Sequence, residues 1–276
     1  MEFTNDIHYD KDALVVQANE LIRSKQDELS LLEAKLVRLA ISQIVMDDTD
    51  LRTYTCRITE LAAFLGIPQD NIYRDIDDLT TSLMGKLIYI IDKTKPKKRN
   101  GQPNYHKFPW VDYCSYIDGV LTIRISDKLK PYLIGLDRLF TMYGYECILT
   151  LPTAPSIRLF DLLSSYESLA NPYNPRNNTY TNLFPQIPRD RNELIFSVDY
   201  LREYFNCGDK YPNTSDFMKW VIDISVKGIN RKSPSMKVSY RTAKEGRKIG
   251  YVLFKINAWT DKDFIDFIKP YLKDSF

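Results

Sequence analysis

Two histidines and four cysteines are all the imidazoles and thiols in this 276-residue chain. Cys56, Cys114, Cys147 and Cys207 lie far apart and form no Cys-x-x-Cys pair, so thiolate spacing offers no zinc site. They read as buried thiols in a reduced, cytosolic setting. His8 and His106 are equally distant. The His-apolar-His pair that a metal-dependent rolling-circle nickase sets beside a nucleophilic Tyr is absent, and the 19 tyrosines read as core and surface anchors. No Walker-type Gly-x-x-x-x-Gly-Lys-Ser/Thr occurs, since Met84-Gly85-Lys86-Leu87 lacks the upstream Gly and the hydroxyl. Gly-x-Ser-x-Gly is missing too. The nearest approach to a nuclease carboxylate cluster is Asp75, Asp77 and Asp78, which read as a helix face. No catalytic residue, cofactor or metal is therefore expected. No apolar run approaches the ~18 residues that span a bilayer, and Met1 to Asp6 is polar, unlike a signal peptide. The expectation is a soluble, cytoplasmic protein with no membrane partner. Charge of one sign is also lacking: 38 Lys and Arg face 36 Asp and Glu, for a net charge of +2. A nucleic-acid case must then rest on local clustering.

What the chain does have is one phrase written twice. The first copy runs from Thr59 to Ile125. A short apolar helix, Thr59 to Leu65, stops at Gly66; a turn follows (Ile67-Pro68-Gln69), then a longer helix from Asp70 and strands around a Lys/Arg loop. The second runs from Val198 to Ile256. A short helix, Val198 to Asn206, breaks near Gly208; a longer one starts near Thr214, and a basic hairpin with a glycine closes the unit. Helix, turn, helix and β-ribbon make the winged form of the helix-turn-helix, whose second helix enters a DNA groove. The expected fold is α+β, with two tandem winged-helix domains over 1–149 and 150–276.

Smaller signals fill in the frame. Ser30-Leu31-Leu32-Glu33 has capping-box form, and Leu32, Leu36, Leu39 and Ala40 recur at helical spacing. That helix is expected to end by Met46, with a short strand from Tyr54 to Ile58. The long helix of the first unit buries Ile72, Ile76, Leu79 and Leu83. Its other faces carry Asp70, Asp75, Asp77 and Asp78, which would repel phosphates, so either a protein partner or plain solvent suits it. Leu87 to Ile91 reads as a strand, Lys93 to Gly101 as a basic turn-rich loop, and Leu121, Ile123 and Ile125 as a half-buried strand. Leu129 to Leu139 reads as a short helix around Pro131. Ser156 to Ser168 is an apolar-periodic helix behind Pro152 and Pro155, which puts the boundary near Thr150. Asn171 to Asn192 reads as a long surface loop.

In the second unit, Asn213-Thr214-Ser215-Asp216 offers caps for the long helix. Val221, Ile222, Ser225 and Ile229 form a buried face, with Lys219, Trp220, Asp223 and Lys227 pointing away. Met236, Val238 and Tyr240 alternate on one hairpin strand, and Val252, Phe254 and Ile256 on the other. The tip, Arg241 to Lys248, is basic with one acid. Such a wing can follow a phosphate backbone or enter a minor groove. Lys219 can meet the acceptor edge of guanine, while Asn213, Thr214 and Ser215 can reach a base or a phosphate.

Four stretches in order carry a resemblance. They are Val16-Gln17-Ala18-Asn19-Glu20-Leu21-Ile22; Ser156-Ile157-Arg158-Leu159-Phe160-Asp161-Leu162-Leu163; Phe217 to Asn230, ending Lys227-Gly228-Ile229-Asn230; and Gly246-Arg247-Lys248 before Val252-Leu253-Phe254-Lys255-Ile256. From about Val15 to Trp259 the chain resembles the two-winged-helix initiator replication proteins of theta-replicating plasmids. The resemblance implies binding to repeated origin duplexes (iterons), opening of a nearby AT-rich region, and recruitment of a host initiator and replicative helicase. It also implies a homodimer, joined through the first domain, that exchanges with monomer. Family contacts map onto the long helix from Asn213 to Lys227 and onto both wings. The candidate DNA-binding residues are then Asn213, Thr214, Ser215, Lys219, Asp223, Lys227, Arg231, Lys232, Arg241, Lys244, Arg247 and Lys248, with Lys95, Lys97, Lys98 and Arg99 in the first unit. Gly228, Trp220 and the Asn/Pro-rich insertion near Tyr173 depart from the family pattern. Two alternatives stay open: a winged-helix transcriptional regulator without a replication role, and an adaptor whose winged units bind proteins.

Overall fold

The computed structural model describes residues 4–170, 187, 190, 192–233 and 235–258. The expected loop from Asn171 to Asn192 falls almost wholly outside them. The chain opens with β1 (Thr4–Asp6), β2 (Leu14–Ala18), α1 (Asn19–Arg23) and β3 (Lys25–Gln26). Then α2 (Leu31–Ile41) starts on the capping box: Ser30 Oγ accepts from the Glu33 amide, and the Glu33 carboxylate accepts from the Ser30 amide at 2.6 Å. The helix ends at Ile41, short of Met46, because Ser42 and Gln43 turn their side chains back onto the Leu39 carbonyl.

Next come β4 (Thr53–Arg57), α3 (Ile58–Leu65) and α4 (Gln69–Gly85). Gly66 stops α3 in the left-handed region at φ 65°, and the Ile67 amide reaches back to the Ala62 carbonyl. On α4 the stripe Ile72, Ile76, Leu79 and Leu83 is buried, while Asp70, Asp75, Asp77 and Asp78 face solvent. Four strands follow: β5 (Leu87–Asp92), β6 (Asn104–Pro109), β7 (Val111–Ile117) and β8 (Val120–Ile125). Pairing corrects one expectation. The strand pair that closes on β4 is β7–β8, in the order β1-β4-β8-β7, with the turn at Asp118 and Gly119. Both turn residues have positive φ, 50° and 77°, as a tight type I′ hairpin demands. The basic loop joins β5 to β6, which pair with β3 in a separate sheet. Lys95, Lys97, Lys98 and Arg99 thus sit on an added hairpin, not on the wing of the first unit.

The helix expected from Leu129 to Leu139 is also shorter. After a 3-10 turn (Asp127–Leu129) only α5 (Lys130–Leu133) forms. Ile134 is extended and Gly135 left-handed, which ends it. Then β9 (Phe140–Gly144) pairs antiparallel with β2, and α6 (Glu146–Leu149) leads to α7 (Ala154–Ala170).

The second unit repeats the first: β10 (Glu193–Ser197), α8 (Val198–Tyr204), the long helix α9 (214–232), β11 (Met236–Glu245) and β12 (Lys248–Ala258). Its sheet order, β10-β12-β11, matches β4-β8-β7. Helix α8 stops before Asn206, which is left-handed at φ 51°. The units meet along α7. Arg158 donates to the carbonyls of Ile22, Ser24 and Tyr204, each at 3.2 Å. Arg38 of α2 pairs with Asp161 of α7 at 2.7 Å, both fully buried, and the Tyr143 hydroxyl donates to the same carboxylate.

Candidate nucleic-acid interface

Helix α9 runs continuously through Thr214–Phe217, a π-helical stretch Met218–Asp223, and Ile224–Lys232. Wider π turns inside a helix often mark functional sites, because they re-aim the side chains that follow. The buried side is Phe217, Met218, Val221, Ile222, Ser225, Val226, Gly228 and Ile229. Gly228 has a structural reason. A Cβ there would lie 2.8 Å from Ser156 Oγ and 3.0 Å from the Pro152 ring. The absent side chain lets α9 press against the start of α7.

The opposite side carries the candidates. Asn213 is the extended N-cap residue; its amide donates to Asp216 at 3.2 Å rather than capping the helix. Thr214 is half-buried and Ser215 exposed in the first turn. Lys219 is exposed, with its ammonium 4.8 Å from the ring centroid of Trp220, itself 48% exposed. Lys227, Arg231 and Lys232 continue outward along the helix. The last two also complement the negative end of its dipole.

Four hydrogen bonds tie this helix to the wing, one of them from the Lys237 ammonium to the Asn230 carbonyl at 2.6 Å. The Tyr240 hydroxyl on β11 donates to Asp223 at 2.7 Å. Asn230 clasps Val238 twice, accepting from its amide and donating to its carbonyl, each at 2.7 Å. Burial and the bond to Asp223 together push the Tyr240 hydroxyl up to about 12, so it stays a donor at neutral pH. Asp223 is therefore a strut between helix and wing. Arg241 is likewise held, with Nε and Nη2 on the two carboxylate oxygens of Glu193 at 2.8 and 2.7 Å. Burial raises the Glu193 carboxyl, but the Arg241 bonds and the Asp190 amide outweigh it and leave the acid below its usual range.

Nearer the tip the Tyr251 hydroxyl donates to Glu245 at 3.3 Å. Register pairs Glu245 with Lys248 around Gly246 and Arg247. Gly246 has φ 61°, the left-handed first position of a type II′ turn. A bulge follows at Ala243 and Lys244, opposite the step across Gly250. A Cβ on Gly250 would lie 2.5 Å from that of Glu245. Lys244, Arg247 and Lys248 are exposed, and among the described residues none of them makes an ion pair. The same holds for Lys219, Lys227, Arg231 and Lys232. The structure thus brings α9 and β11 together, with cations on the outer side of each. It leaves Lys95, Lys97, Lys98 and Arg99 exposed on the separate hairpin. No group of three or more His, Cys, Asp or Glu side chains among the described residues could hold a metal.

A family model described as Initiator Replication protein, WH1, matches residues 14–164, and one described as Initiator Rep protein, WH2, matches residues 197–256. The chain belongs to this family of initiator replication proteins. The repeated winged unit and the resemblance read from the sequence are both borne out. The fold is shared with the Pi initiator protein, whose crystal structure is in complex with iteron DNA. That match has a TM-score of 0.62 at 19% identity, covering 91% of this chain and 100% of that one. A weaker likeness joins it to domains 2 and 3 of RctB (TM-score 0.44, 10% identity, 83% of this chain and 81% of that one). Another is to the WH1 domain of a replication protein isolated from a multiple sclerosis patient (TM-score 0.28, 19% identity, 37% and 77%). Initiators of this family are DNA-binding proteins rather than enzymes of a familiar class. No helix among the described residues is long and apolar enough to cross a membrane.

Sequence reasoning missed Tyr240, Asn230 and Glu193 as the residues that position the interface. Alternation had placed Tyr240 on a strand, and helical spacing had sent Asp223 outward. Neither period says that the two meet, because their partnership is decided between elements.

Proposed function

We propose that this chain is a plasmid replication initiator that binds repeated origin duplexes sequence-specifically and favours opening of the DNA beside them. On this reading α9 reads bases from a major groove through Asn213, Thr214, Ser215, Lys219 and Lys227. Lys244, Arg247 and Lys248 on the wing hold phosphates. Asp223 and Arg241 act from behind, fixing helix and wing strand. Arg231 and Lys232 add charge at the helix end, and the hairpin carrying Lys95, Lys97, Lys98 and Arg99 makes an accessory backbone contact. The observation that carries the reading is the Tyr240–Asp223 and Asn230–Val238 bonding, which makes helix and ribbon one surface with its unpaired cations outward. Its likeness to a protein solved with iteron DNA agrees with this.

The wider role follows as part of the same proposal. The protein is cytoplasmic and non-enzymatic. It exchanges between homodimer and monomer, and it recruits a host initiator and replicative helicase. Division near Thr150 assigns 1–149 to dimerisation and accessory contact, and 150–276 to the principal grip. The direct test is binding of labelled duplex repeats across a salt series. Neutralising six to ten phosphates costs ~10³–10⁵ in affinity between about 50 and 200 mM salt. Arg247→Ala should weaken all duplexes alike, while Lys219→Ala should relax preference at one base pair. Binding indifferent to salt, or the reverse pattern in the two variants, would refute the assignment.

A further inference from the structure

The β5–β6 hairpin stands outside the winged-helix plan, and its sheet has one bare face. Along β5, Ile88 and Ile90 are buried, while Tyr89 and Ile91 point the other way. Register sets Lys25, Tyr89 and Lys107 side by side across three strands, with Ile91 opposite Tyr105 in the next row. Strand geometry puts these five side chains on one face. On that face Ile91 is 50% and Tyr105 45% exposed. The two tyrosine rings lie 6.4 Å apart. Lys107 sits over both, at 4.7 Å from Tyr89 and 5.2 Å from Tyr105. Lys98 reaches in from the tip to 4.9 Å from Tyr105, and Lys25 lies 5.7 Å from Tyr89.

We propose that this face is a binding site for single-stranded DNA, with Tyr105, Ile91 and Tyr89 as a stacking platform and Lys25, Lys98 and Lys107 as its phosphate contacts. Exposed rings in a sheet give unstacked bases flat apolar partners, and the ammonium groups beside them can hold the phosphates. An intact duplex cannot use such a face, since its bases are already stacked on each other and present only edges and phosphates. Acids near the face are few and engaged. Asp27 accepts from the Tyr89 hydroxyl at 3.4 Å and from the Leu87 amide at 3.0 Å, and Glu20 pairs with Lys93. The biological setting, a strand released beside the bound repeats, rests on the function proposed above; the chemistry of the face does not.

The test uses the full chain and two labelled probes, a 20-nucleotide oligothymidine and a duplex, followed by fluorescence anisotropy at fixed salt. Tyr105→Ala with Ile91→Ala should lower single-strand affinity about tenfold or more, with duplex affinity unchanged. Tyr105→Phe should retain single-strand binding, because the ring and not the hydroxyl does the stacking. Both side chains are half exposed, so the fold should survive, and an unchanged melting temperature would verify it. Three results would overturn the proposal: no oligothymidine binding by the unaltered chain, equal losses for both probes, or loss with Lys107→Gln but none with Tyr105→Ala. If instead the unaltered chain binds the single strand and no duplex repeat, the proposed function fails and this site stands.

Discussion

The buried pair between Arg38 and Asp161 offers the sharpest test of how the two winged units are joined. Arg38 comes from α2 and Asp161 from α7, the helices that precede each winged repeat. Their side chains are 1% and 0% exposed, and their charged atoms are 2.7 Å apart. Burial alone would push the guanidinium toward neutrality, but the Asp161 carboxylate more than offsets it and holds Arg38 charged. Two guanidinium nitrogens, Nε and Nη1, have no protein hydrogen-bond partner, while its Cζ lies 5.5 Å from the centroid of the Trp110 ring. Asp161→Asn keeps the shape and removes the charge. It strands a buried cation, and breaking such a pair from one side costs ~3–5 kcal/mol. Against a typical total of ~5–15 kcal/mol for a domain, that is a large fraction. Replacing both residues, Arg38→Met with Asp161→Leu, leaves no charge behind and should restore stability to within ~1 kcal/mol of the original or exceed it. Urea unfolding followed by circular dichroism and by intrinsic tryptophan fluorescence would measure all four corners of the Arg38→Met, Asp161→Leu cycle, with Asp161→Asn alongside. A cost below ~1 kcal/mol for Asp161→Asn, or additive losses in the double variant, would refute the reasoning.

Three further outcomes follow from single contacts. Gly228→Ala should destabilise by ~1–2 kcal/mol in urea unfolding, since overpacking against Ser156 and Pro152 exceeds the ~1 kcal/mol of helix propensity gained; a net gain would show that α9 and α7 have room between them. Arg241→Ala should weaken the pH response of Glu193. With Arg241 present the folded carboxyl is depressed, so its stabilisation is full above the unfolded pKa of about 4.3 and is lost as pH falls through the folded value. Without Arg241 the folded carboxyl rises toward its unfolded value, and the variant loses this stabilisation above that pKa. Unfolding free energies of the two proteins should therefore diverge at pH 7 and converge in acid. Tyr240→Phe should cost ~1 kcal/mol of stability and weaken duplex binding, because a freed Asp223 carboxylate then faces the DNA side of α9; unchanged binding would remove Asp223 from the interface.

Much of this protein was legible in its residues because the signals were local. The capping box at Ser30, the glycine stop at Gly66, the stripe from Ile72 to Leu83 and the buried face of α9 all follow from spacings within one element. The repeat of helix, turn, helix and ribbon followed from their order, and with it the family. Helix ends were less well marked. The stop at Ile41 depends on which way Ser42 and Gln43 turn, and α5 ends where Ile134 turns extended and Gly135 enters the left-handed region.

Pairing between elements was not legible. Strand period says that Leu87 to Ile91 and Leu121 to Ile125 each have an inner face, but not which of two hairpins closes on β4. The basic loop near Lys97 therefore passed for a wing until hydrogen-bond register set it on its own sheet. The same limit hid the partnership of Asp223 with Tyr240 and of Arg241 with Glu193, on which the proposed supporting role of these two candidates rests. It hid as well the need for a bare backbone at Gly228, where another helix approaches. Composition, periodicity and capping belong to the chain alone, since each depends on neighbours a few residues apart. Which strand lies beside which, and which charge is neutralised, is decided only on folding, when residues far apart in sequence compete for the same partners.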